Sequence, residues 1–404
     1  MRDAAAHVAN VLLPAERHAS AAAAEGEATQ AGALGAAAAG SGEAGAVAAV
    51  PWRQELAVAA RTGSFAGVTL AIELPYPAFP SNLAHWAEVL FPVYSALRSP
   101  AWRRYPVARV LLVGIKRAQW LDWYEQSLRL ALGTLGAEGG ADAPLLFWDE
   151  VLPLGQQGSW VRFEYLLAAR DVRDAATGAR GFLSAADARS FRDDAYRASG
   201  LQPYARAEPA ILYLGPDNST RVTNELEVLA LLESYNRTVY KMDMLASMTF
   251  DLVVRTTAAV GVLVSVTGAA LTNAVLLPPG GAVYELLPYR WGWKGIDRMH
   301  WNLTRNSADI HHFAWRATNG SEVRFDHPRT MEKYSGWMPS ECTTRECIGA
   351  HARTRFRVDL GELKALLDQT LPRIESGSQV WEHPWPPIDS PEEARLLERE
   401  RDEV

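Results

Sequence analysis

Apolar runs of strand length alternate along this chain with amphipathic stretches of helical length, and this alternation restricts the possible folds most. The expected strands are Val68–Leu74, Val107–Ile115, Leu145–Phe147, Ile211–Leu214, Val262–Val266 and Ala282–Leu286. The expected helices are Leu83–Leu97, Trp120–Leu135, Ala185–Ser199, Asn224–Ser234, Phe250–Ala259, Leu271–Leu277 and Gly361–Leu371. The alternation is typical of an α/β fold with parallel sheets covered by helices on both faces. Ligands of such sheets bind beyond the carboxyl ends of the strands.

The length of 404 residues suffices for two domains, since domains usually contain about 100–200 residues. The polar stretch Gly200–Pro209 is the expected hinge between them. Residues 18–49 are almost all Ala, Gly, Glu and Ser, so they cannot build a specific core. The chain accordingly divides into a low-complexity Ala/Gly-rich tail, two folded halves and a charged tail, at residues 1–63, 64–203, 204–376 and 377–404. Both tails are expected to be disordered.

Charge argues against nucleic acid as a partner, and the residue pattern argues against a membrane-spanning helix. The formal net charge is −7 and no long basic stripe appears, so nucleic acid is not an expected partner. A hydropathy scan could mistake Thr256–Leu277 for a membrane helix. Gly261, Gly268 and Asn273 instead divide this run into a strand, a turn and a short helix. No membrane anchor is recognisable in this chain.

The cysteines and sequons bear on the compartment. Cys342 and Cys347 are the only cysteines, and their C-x4-C spacing is a poor zinc signal because a structural zinc site wants four ligands. A local disulfide and two free thiols both remain open. N-x-[ST] sequons favour a lumenal location, and they begin at Asn218, Asn236, Asn302 and Asn319. The segment Met1–Pro14 nevertheless lacks the usual features of a secretory signal peptide.

The stretch Val262–Tyr289 carries the strongest chemical signal. After a buried strand that ends at Val266, the residues Thr267-Gly268-Ala269-Ala270 predict a tight turn with minimal side chains, and a short helix begins near Leu271. Small residues allow close approach of backbone to a ligand, and the free N–H groups of a helix N-terminus suit a diphosphate. A second strand is expected to end at Glu285, whose carboxylate can accept hydrogen bonds from ribose hydroxyls. An ordinary strand–turn–helix unit of an α/β core would show the same spacing.

Several segments resemble glycosyltransferase family 61. Val262–Tyr289 resembles its HGAGLTN, FLPPGA and VIEL-P signature, and STRVTNELEVLALL around Arg221 looks like its R-x-x-N-E-x-E segment. SMTFDLVVRTTAAVGVLVS is similar to the linking helix and strand, HHFAWRA at His311–Ala317 to a late A-W-R element, and NLAHWAEVLFPVY at Asn82–Tyr94 to an N-x-x-H…D-x-L-x-P motif. The resemblance spans about residues 66–372. This family includes protein O-mannose β-1,4-N-acetylglucosaminyltransferases, EGF-domain O-GlcNAc transferases and plant xylan pentosyltransferases.

The resemblance implies a GT-B fold, in which two Rossmann-like domains face a cleft. The half at 64–203 would be the acceptor-side domain, and the half at 204–376 would bind a nucleotide sugar. The implied activity is an inverting transfer of the sugar, with a UDP-sugar as the expected donor, to a hydroxyl of a glycoprotein or polysaccharide. No cofactor or metal is expected to be required. The implied location is the lumen of the Golgi or endoplasmic reticulum, and Asn218 is expected to stay unglycosylated beside the donor.

The family motifs assign donor-binding residues by position. Arg221 matches the motif arginine and would pair with the diphosphate, whose oxygens suit the guanidinium fork. Glu285 would hold the ribose. The complete expected donor set is Arg221, Asn224, Glu225, Thr267, Gly268, Ala269, Leu271, Thr272, Asn273 and Glu285.

This sequence also departs from the motifs. Thr267 replaces the family's histidine, Ala270 replaces its second glycine, and the arginine that usually precedes Arg221 is missing near Asp217–Ser219. The departures leave open a lower donor affinity, a different donor, or a degenerate member that binds carbohydrate or acts as a scaffold without transfer. An unrelated α/β enzyme with the same phosphate-binding turn is a further alternative.

The catalytic candidates are His85 and Glu88. They lie one turn apart on the predicted Leu83–Leu97 helix and therefore share a face, and either could take the proton of the acceptor hydroxyl. The family's carboxylate lies one residue further from its histidine, so the base stays open, and His85 could also be a packing or capping residue. Asn82 is expected to cap the helix.

Aromatic residues and histidines near the second strand give two more hypotheses. The cluster Tyr289–Trp293 follows Glu285 and is a candidate contact for the acceptor or the nucleobase, since tryptophan faces stack on sugars as well as fill cores. His311 and His312 show a helix-like spacing to Trp315 and Arg316, with Asp309 nearby. A metal site there is conceivable but not expected.

Overall fold

The computed structural model describes residues 13–14, 51–62, 64–74, 82–103, 105–135, 142–155, 162–169, 181–203, 208–215, 221–243, 248–377, 379–380 and 383–387. The strands are β1 Leu13–Pro14, β2 Ser64–Glu73, β3 Val107–Val113, β4 Leu145–Phe147, β5 Arg162–Ala169, β6 Glu208–Gly215, β7 Val239–Asp243, β8 Val260–Val266, β9 Ala282–Leu287 and β10 His311–Arg316. The predicted alternation of strands and helices is confirmed, and the fold is α/β with parallel sheets.

Helices lie between most of these strands. They are α1 Pro51–Thr62, α2 Leu83–Arg98, α3 Pro100–Arg103, α4 Asp122–Gly133, α5 Trp148–Gly155, α6 Ala185–Ala198, α7 Glu225–Glu233, α8 Phe250–Ala258, α9 Met299–Arg305, α10 Pro328–Tyr334, α11 Arg345–Ala352 and α12 Leu360–Glu375. Short 3-10 segments are Arg117–Gln119, Ala269–Leu276, Trp293–Arg298 and Gly320–Glu322. The predicted Leu271–Leu277 helix is therefore a 3-10 segment, which begins earlier.

A four-stranded sheet has the order β4-β3-β2-β5, and all of its neighbouring strands are parallel. Alternation along β2 directs Leu70 and Ile72 to the face covered by α2, α4 and α6. The opposite face packs against α1 and α5 through Ala59 and Val151. Because Ala59 is buried, the described structure extends into the segment 51–62, which the sequence assigned to the N-terminal tail.

A second sheet has the order β1-β7-β6-β8-β9-β10. Strands β6 to β10 are parallel, and only the short β1 runs antiparallel, beside β7. Taken in chain order, the five parallel strands follow the doubly wound order 2-1-3-4-5. Tyr284 and Leu286 of β9 pack on the face that carries α7 and α12, whereas Val283 packs on the face that carries the Ala269–Leu276 segment.

Helices from both sides of residue 203 share one apolar core. Phe250 and Val253 of α8 and Val275 of the 3-10 segment join the cluster formed by α2, α4 and α6. The rings of Trp123 and Phe250 lie 5.5 Å apart. The predicted hinge falls partly outside the described residues, since only 200–203 and 208–209 of it are described.

Four strands escape the sequence-based prediction, and the two-residue β1 is one of them. β5 and β7 lie at or beside a sheet edge and carry Glu164 and Lys241, whose charges hide the strand pattern. β10 contains His311, His312 and Arg316, all buried, so its polar side chains mask a core strand. A helical spacing for His311, His312 and Trp315 is therefore wrong, because these residues lie on one extended strand.

The end of the chain is not wholly a free tail. His383–Pro387 packs on the second sheet, and Trp385 Nε1 donates to Asp297 at 2.9 Å. No helix in the described parts of the chain is long and apolar enough to cross a membrane. Thr256–Leu277 forms the end of α8, strand β8 and a 3-10 segment, so the predicted strand is confirmed and the predicted short helix is a 3-10 segment. A disulfide joins Cys342 and Cys347, which decides between the two open states of these cysteines.

Candidate functional site

The second sheet changes direction between β6 and β8. From β6 the chain first moves outward to β7, and then crosses back to place β8 on the other side of β6. A crevice forms at such a switch point, outside the carboxyl ends of the strands, and ligands of doubly wound sheets bind there. β8 ends at Val266 and is followed by Thr267 and Gly268, while β6 ends at Gly215 and the next described residue is Arg221.

Arg221 and Thr267 meet at the switch point. Arg221 Nη1 donates to the backbone carbonyl of Thr267 at 2.8 Å, although 46 residues separate them in the chain. Burial lowers the pKa of Arg221 to about 10, and the charge of Asp326 opposes this shift in part. The guanidinium therefore stays cationic at neutral pH. Two segments with resemblance to separate family motifs are thus in direct contact.

The backbone of Arg221 is held by the segment that follows α11. Phe356 N donates to Arg221 O at 2.9 Å, and Asn224 Oδ1 accepts from Val358 N at 2.9 Å. Asn224 Nδ2 donates back to Val358 O at 2.9 Å, so this side chain is occupied by a backbone partner. Glu225 accepts from Lys241 Nζ at 2.6 Å. Asn224 therefore joins the start of α7 to the segment that binds the Arg221 carbonyl, and Glu225 joins it to β7.

The turn after β8 requires glycine. Gly268 has φ 156° and ψ 177°, a region that is essentially restricted to glycine. A Cβ atom there would lie 3.6 Å from Arg221 Nη1, so the turn directly faces the guanidinium. Gly268 and Ala269 are partly exposed, whereas Thr267 is buried at the end of the strand.

The residues further into the segment face the interior. Leu271 lies in the core of the second sheet, and the side chains of Leu271, Thr272 and Asn273 are fully buried. Asn273 Oδ1 accepts from Trp123 Nε1 at 3.1 Å, and Asn273 Nδ2 donates to Ala270 O at 3.0 Å. Asn273 therefore joins the segment to α4.

Glu285 lies within β9 rather than at its tip, because the strand continues to Leu287. Its side chain is fully buried, and its two oxygens contact His300 Nδ1 at 3.2 Å and His312 Nε2 at 3.0 Å. Burial raises the pKa of Glu285, but the hydrogen bonds from His300 and His312 outweigh burial and lower the pKa to about 2. The expected ribose contact stays a prediction, and in this structure the carboxylate faces two imidazoles.

The N-terminal candidates lie at the corresponding place in the first sheet. β2 lies between β3 and β5, and α2 follows its carboxyl end. Asn82 caps α2 as predicted, because its side chain accepts from Ala84 N at 3.0 Å. His85 Nδ1 and Glu88 Oε2 are 3.6 Å apart, and both side chains are partly exposed. α2 packs on the Ala269–Leu276 segment, so the two candidate motifs belong to touching elements.

The aromatic cluster after β9 is anchored to neighbouring loops. Arg290 has a φ of 55°, and its Nη1 donates to Ser335 O at 3.2 Å and to Trp337 O at 3.3 Å. The Trp291 carbonyl accepts from Arg316 Nη1. Tyr289 is only partly buried. The side chain of Trp293 lies outside the described residues.

The conceivable metal ligands do not form a cluster. His311 and His312 are consecutive residues of a strand, so their side chains point to opposite faces. The Asp309 carboxylate is instead bound by the buried Arg192, whose Nη1 lies 3.1 Å from Asp309 Oδ1. His312 is bound to Glu285 and to Thr304 Oγ1, the latter at 2.8 Å.

Sequence reasoning missed the buried polar groups around Glu285. His300 reaches Glu285 from α9, Thr304 of the same helix contacts His312, and Asp297 accepts from Arg316 Nη2 at 2.6 Å. These contacts join residues that no short motif relates to each other. The only available signal was the run of tryptophan, histidine and proline around His383–Pro387, which contains Trp385.

Comparison with known proteins gives a limited similarity to one glycosyltransferase. The chain is 32% identical over 113 residues to the protein O-linked-mannose β-1,4-N-acetylglucosaminyltransferase 2 of Tetraodon nigroviridis. The matched part is 28% of this chain and only 19% of that protein. No protein-family model matches the chain. The similarity supports glycosyl transfer in general, without a donor or an acceptor.

Proposed function

We propose that this chain is an inverting glycosyltransferase with a nucleotide-sugar donor. The observation that carries the proposal is the contact between Arg221 and the Thr267–Gly268 turn at the switch point of the second sheet. A guanidinium beside a glycine turn offers charge and close backbone approach together, and a diphosphate requires both. The partial similarity to a glycosyltransferase supports the same reaction class.

In this proposal the two sheets form the two Rossmann-like domains of a GT-B fold, divided near residue 203. Arg221 pairs with the diphosphate of a UDP-sugar, while Thr267, Gly268 and Ala269 contact the phosphates through the turn. Asn224 and Glu225 fix the start of α7 close to Arg221 in the chain, and Leu271, Thr272 and Asn273 set the position of the turn. Since Arg221 supplies positive charge, the proposal requires no metal.

In this proposal Glu285 lies on the side of the site that binds the ribose, and it acts there through His300 and His312. Because Glu285 is inaccessible, a ribose hydroxyl reaches it only if His300 or His312 moves. Otherwise the carboxylate fixes the two imidazoles and thereby the end of β9. Tyr289, which is partly exposed, is the aromatic candidate for contact with the nucleobase or the acceptor. The acceptor is a hydroxyl of a glycoprotein or polysaccharide, in the lumen of the secretory pathway.

The proposal is tested by calorimetric titration of UDP and UDP-sugars into the wild type and Arg221→Ala. Loss of a charge-assisted contact of about 1.5–3 kcal/mol is expected to weaken the affinity for UDP by roughly 10- to 150-fold. The matched control is Arg237→Ala, which removes a buried arginine paired with Glu375 near the amino end of β7. Equal UDP affinity of Arg221→Ala and the wild type would remove Arg221 from the site.

A second candidate function is nucleotide or carbohydrate binding without transfer. It is favoured by Thr267, which stands in place of the family's histidine and already binds Arg221 through its carbonyl. Release of UDP from UDP-sugars, measured with and without glycoprotein acceptors, separates the two functions. Tight UDP binding with no release under any of these conditions would support the binding protein and contradict the transferase.

A further inference from the structure

One buried cluster shares no residue with the proposed donor site and is unused by the proposed reaction. It consists of Cys342, Cys347 and His351, and one ligand atom from each lies within 4.8 Å of the others. All three residues are at most 4% exposed. Among the described residues, no other group of three or more His, Cys, Asp or Glu side chains converges in this way.

Local structure explains why the three side chains meet. Cys347 and His351 are four residues apart on α11, so they lie one above the other on the same face. Thr344 caps this helix, with its Oγ1 accepting from Cys347 N at 3.2 Å. The disulfide then brings Cys342 to the same point. A disulfide alone does not need a histidine beside it.

Two sulfur ligands and one imidazole nitrogen suit a soft or borderline divalent cation. Zn²⁺ takes thiolate sulfur at about 2.3 Å and imidazole nitrogen at about 2.0–2.1 Å, so two thiolates on a tetrahedral ion lie about 3.8 Å apart. The two sulfurs are bonded in the disulfide, so they must move apart after reduction to reach that separation, whereas a nitrogen of His351 already lies within 4.8 Å of both. Two cysteines and one histidine leave the fourth position to water or an added ligand, as in zinc sites with an open position.

We propose that Cys342, Cys347 and His351 form a zinc site that the disulfide closes and a thiol reductant opens. A dithiol reduces the disulfide by two electrons and becomes a cyclic disulfide itself, leaving the two cysteines as thiols. Zn²⁺ then replaces their two protons and binds both thiolates and one nitrogen of His351. Oxidation of the zinc-bound thiolates by a disulfide reverses the exchange and releases the ion.

The test uses the full chain, reduced by a phosphine under anaerobic conditions and titrated with Co²⁺ as a spectroscopic probe. One equivalent is expected to give a sulfur-to-cobalt charge-transfer band and the visible bands of tetrahedral cobalt. Zn²⁺ should then displace Co²⁺ with the same stoichiometry. The oxidised protein of the same preparation is the first control, and it should give neither band.

Variants assign the ligands. His351→Gln is expected to weaken the affinity for Co²⁺ by about 100-fold or more. This loss is at least as large as that seen when a residue that only supports a metal ligand is replaced. Cys342→Ser should abolish the two-thiolate charge-transfer intensity. His383→Ala is the matched control, because His383 contacts the Phe313 ring outside the cluster.

Three outcomes would overturn the proposal. The reduced wild type could bind no stoichiometric Co²⁺, or His351→Gln could bind it as tightly as the wild type. Reduction could also unfold the chain, as followed by circular dichroism, without recovery on addition of Zn²⁺. None of these measurements depends on transferase activity, so they separate this site from the proposed function.

Discussion

At the scale of single residues, the side chains of the proposed donor site differ in exposure and in the partners that already occupy them. Arg221 and Gly268 face each other at the switch point, and the partly exposed Ala269 follows them. Asn224 and Asn273 have their polar atoms occupied by Val358 and Trp123. The sequence analysis assigned all five residues to one binding set, because a motif contains residues that bind a ligand as well as residues that support them.

The glycine requirement at position 268 predicts a double effect of Gly268→Ala. An alanine held at φ 156° costs about 1–3 kcal/mol of folding free energy. The resulting shift of the turn should also weaken the affinity for UDP. Gly280→Ala is the matched control, since Gly280 has φ 78° and open space where the Cβ atom would be. Thermal unfolding and UDP titration of both variants check this. If both variants lose the same stability and neither loses UDP affinity, the turn is only structural.

The buried carboxylate of Glu285 predicts a specific pH dependence. Its pKa falls from 4.5 to about 2 on folding, so its stabilisation is present above pH 4.5 and is lost as the pH falls towards 2. Glu285→Gln should therefore reduce the stability difference between pH 5 and pH 2.5, as measured by urea unfolding. Glu322→Gln, at an exposed position, should leave the slope unchanged. Identical slopes for the wild type and Glu285→Gln would contradict the assigned role of the histidines.

At the scale of elements, the Ala269–Leu276 segment joins the two sheets. It packs against α2, α8 and α9, and Asn273 fastens it to Trp123 of α4. The segment therefore connects α2 to the turn at Gly268, because it packs on α2 and begins directly after that glycine. This arrangement follows from its composition, since small and apolar residues allow it to be buried on several sides at once.

Asn273→Ala is expected to destabilise the chain without a selective effect on the donor. The substitution leaves the buried indole N–H of Trp123 without its acceptor, which costs about 1–3 kcal/mol. Urea unfolding measures this loss, and Asn302→Ala at an exposed position is the control. UDP affinity below the unfolding transition should be unchanged. A large loss of UDP affinity at unaltered stability would return Asn273 to the ligand-binding set.

Elements with a clear apolar pattern could be predicted from the sequence, and those with buried or exposed charge could not. β8 is a run of apolar residues, and its predicted end at Val266 is confirmed. β10 begins with His311 and His312, both buried, and His312 is bonded to Glu285 and Thr304, which lie elsewhere in the chain. The contact between Arg221 and Thr267 could be expected only through resemblance, because no local rule relates residues so far apart.

At the scale of the whole molecule, the two sheets are joined by a shared helical core and by single long-range contacts. Arg192 of α6 binds Asp309 and also the Leu277 carbonyl at 3.1 Å, which lies just beyond the 3-10 segment. His383–Pro387 returns to the second sheet through Trp385. α2, which carries His85 and Glu88, packs directly on the Ala269–Leu276 segment, and this segment begins at the proposed donor turn.

The packing of α2 on that element predicts where the catalytic base lies. His85 and Glu88 are partly exposed and share one face, at the carboxyl edge of the first sheet. Removal of a general base usually costs about 10²- to 10⁴-fold in rate, so His85→Ala should lose transfer by about 10²-fold or more. UDP affinity should be unchanged, because Arg221 and Gly268 belong to the second sheet. Glu88→Gln should lose less, since its carboxylate is one residue closer to the histidine than in the family motif.

Transfer rates and UDP affinities of these two variants, measured on the same preparations, decide the assignment. Asn82→Asp is the control for the helix, because aspartate also caps a helix N-terminus and keeps α2 in place. Full turnover by His85→Ala together with an inactive Glu88→Gln would reverse the two roles. If both variants keep full turnover, the base belongs to another residue, and the contact of α2 with the donor segment is only structural. A parallel loss of UDP affinity in His85→Ala would instead show that the first sheet contributes to donor binding.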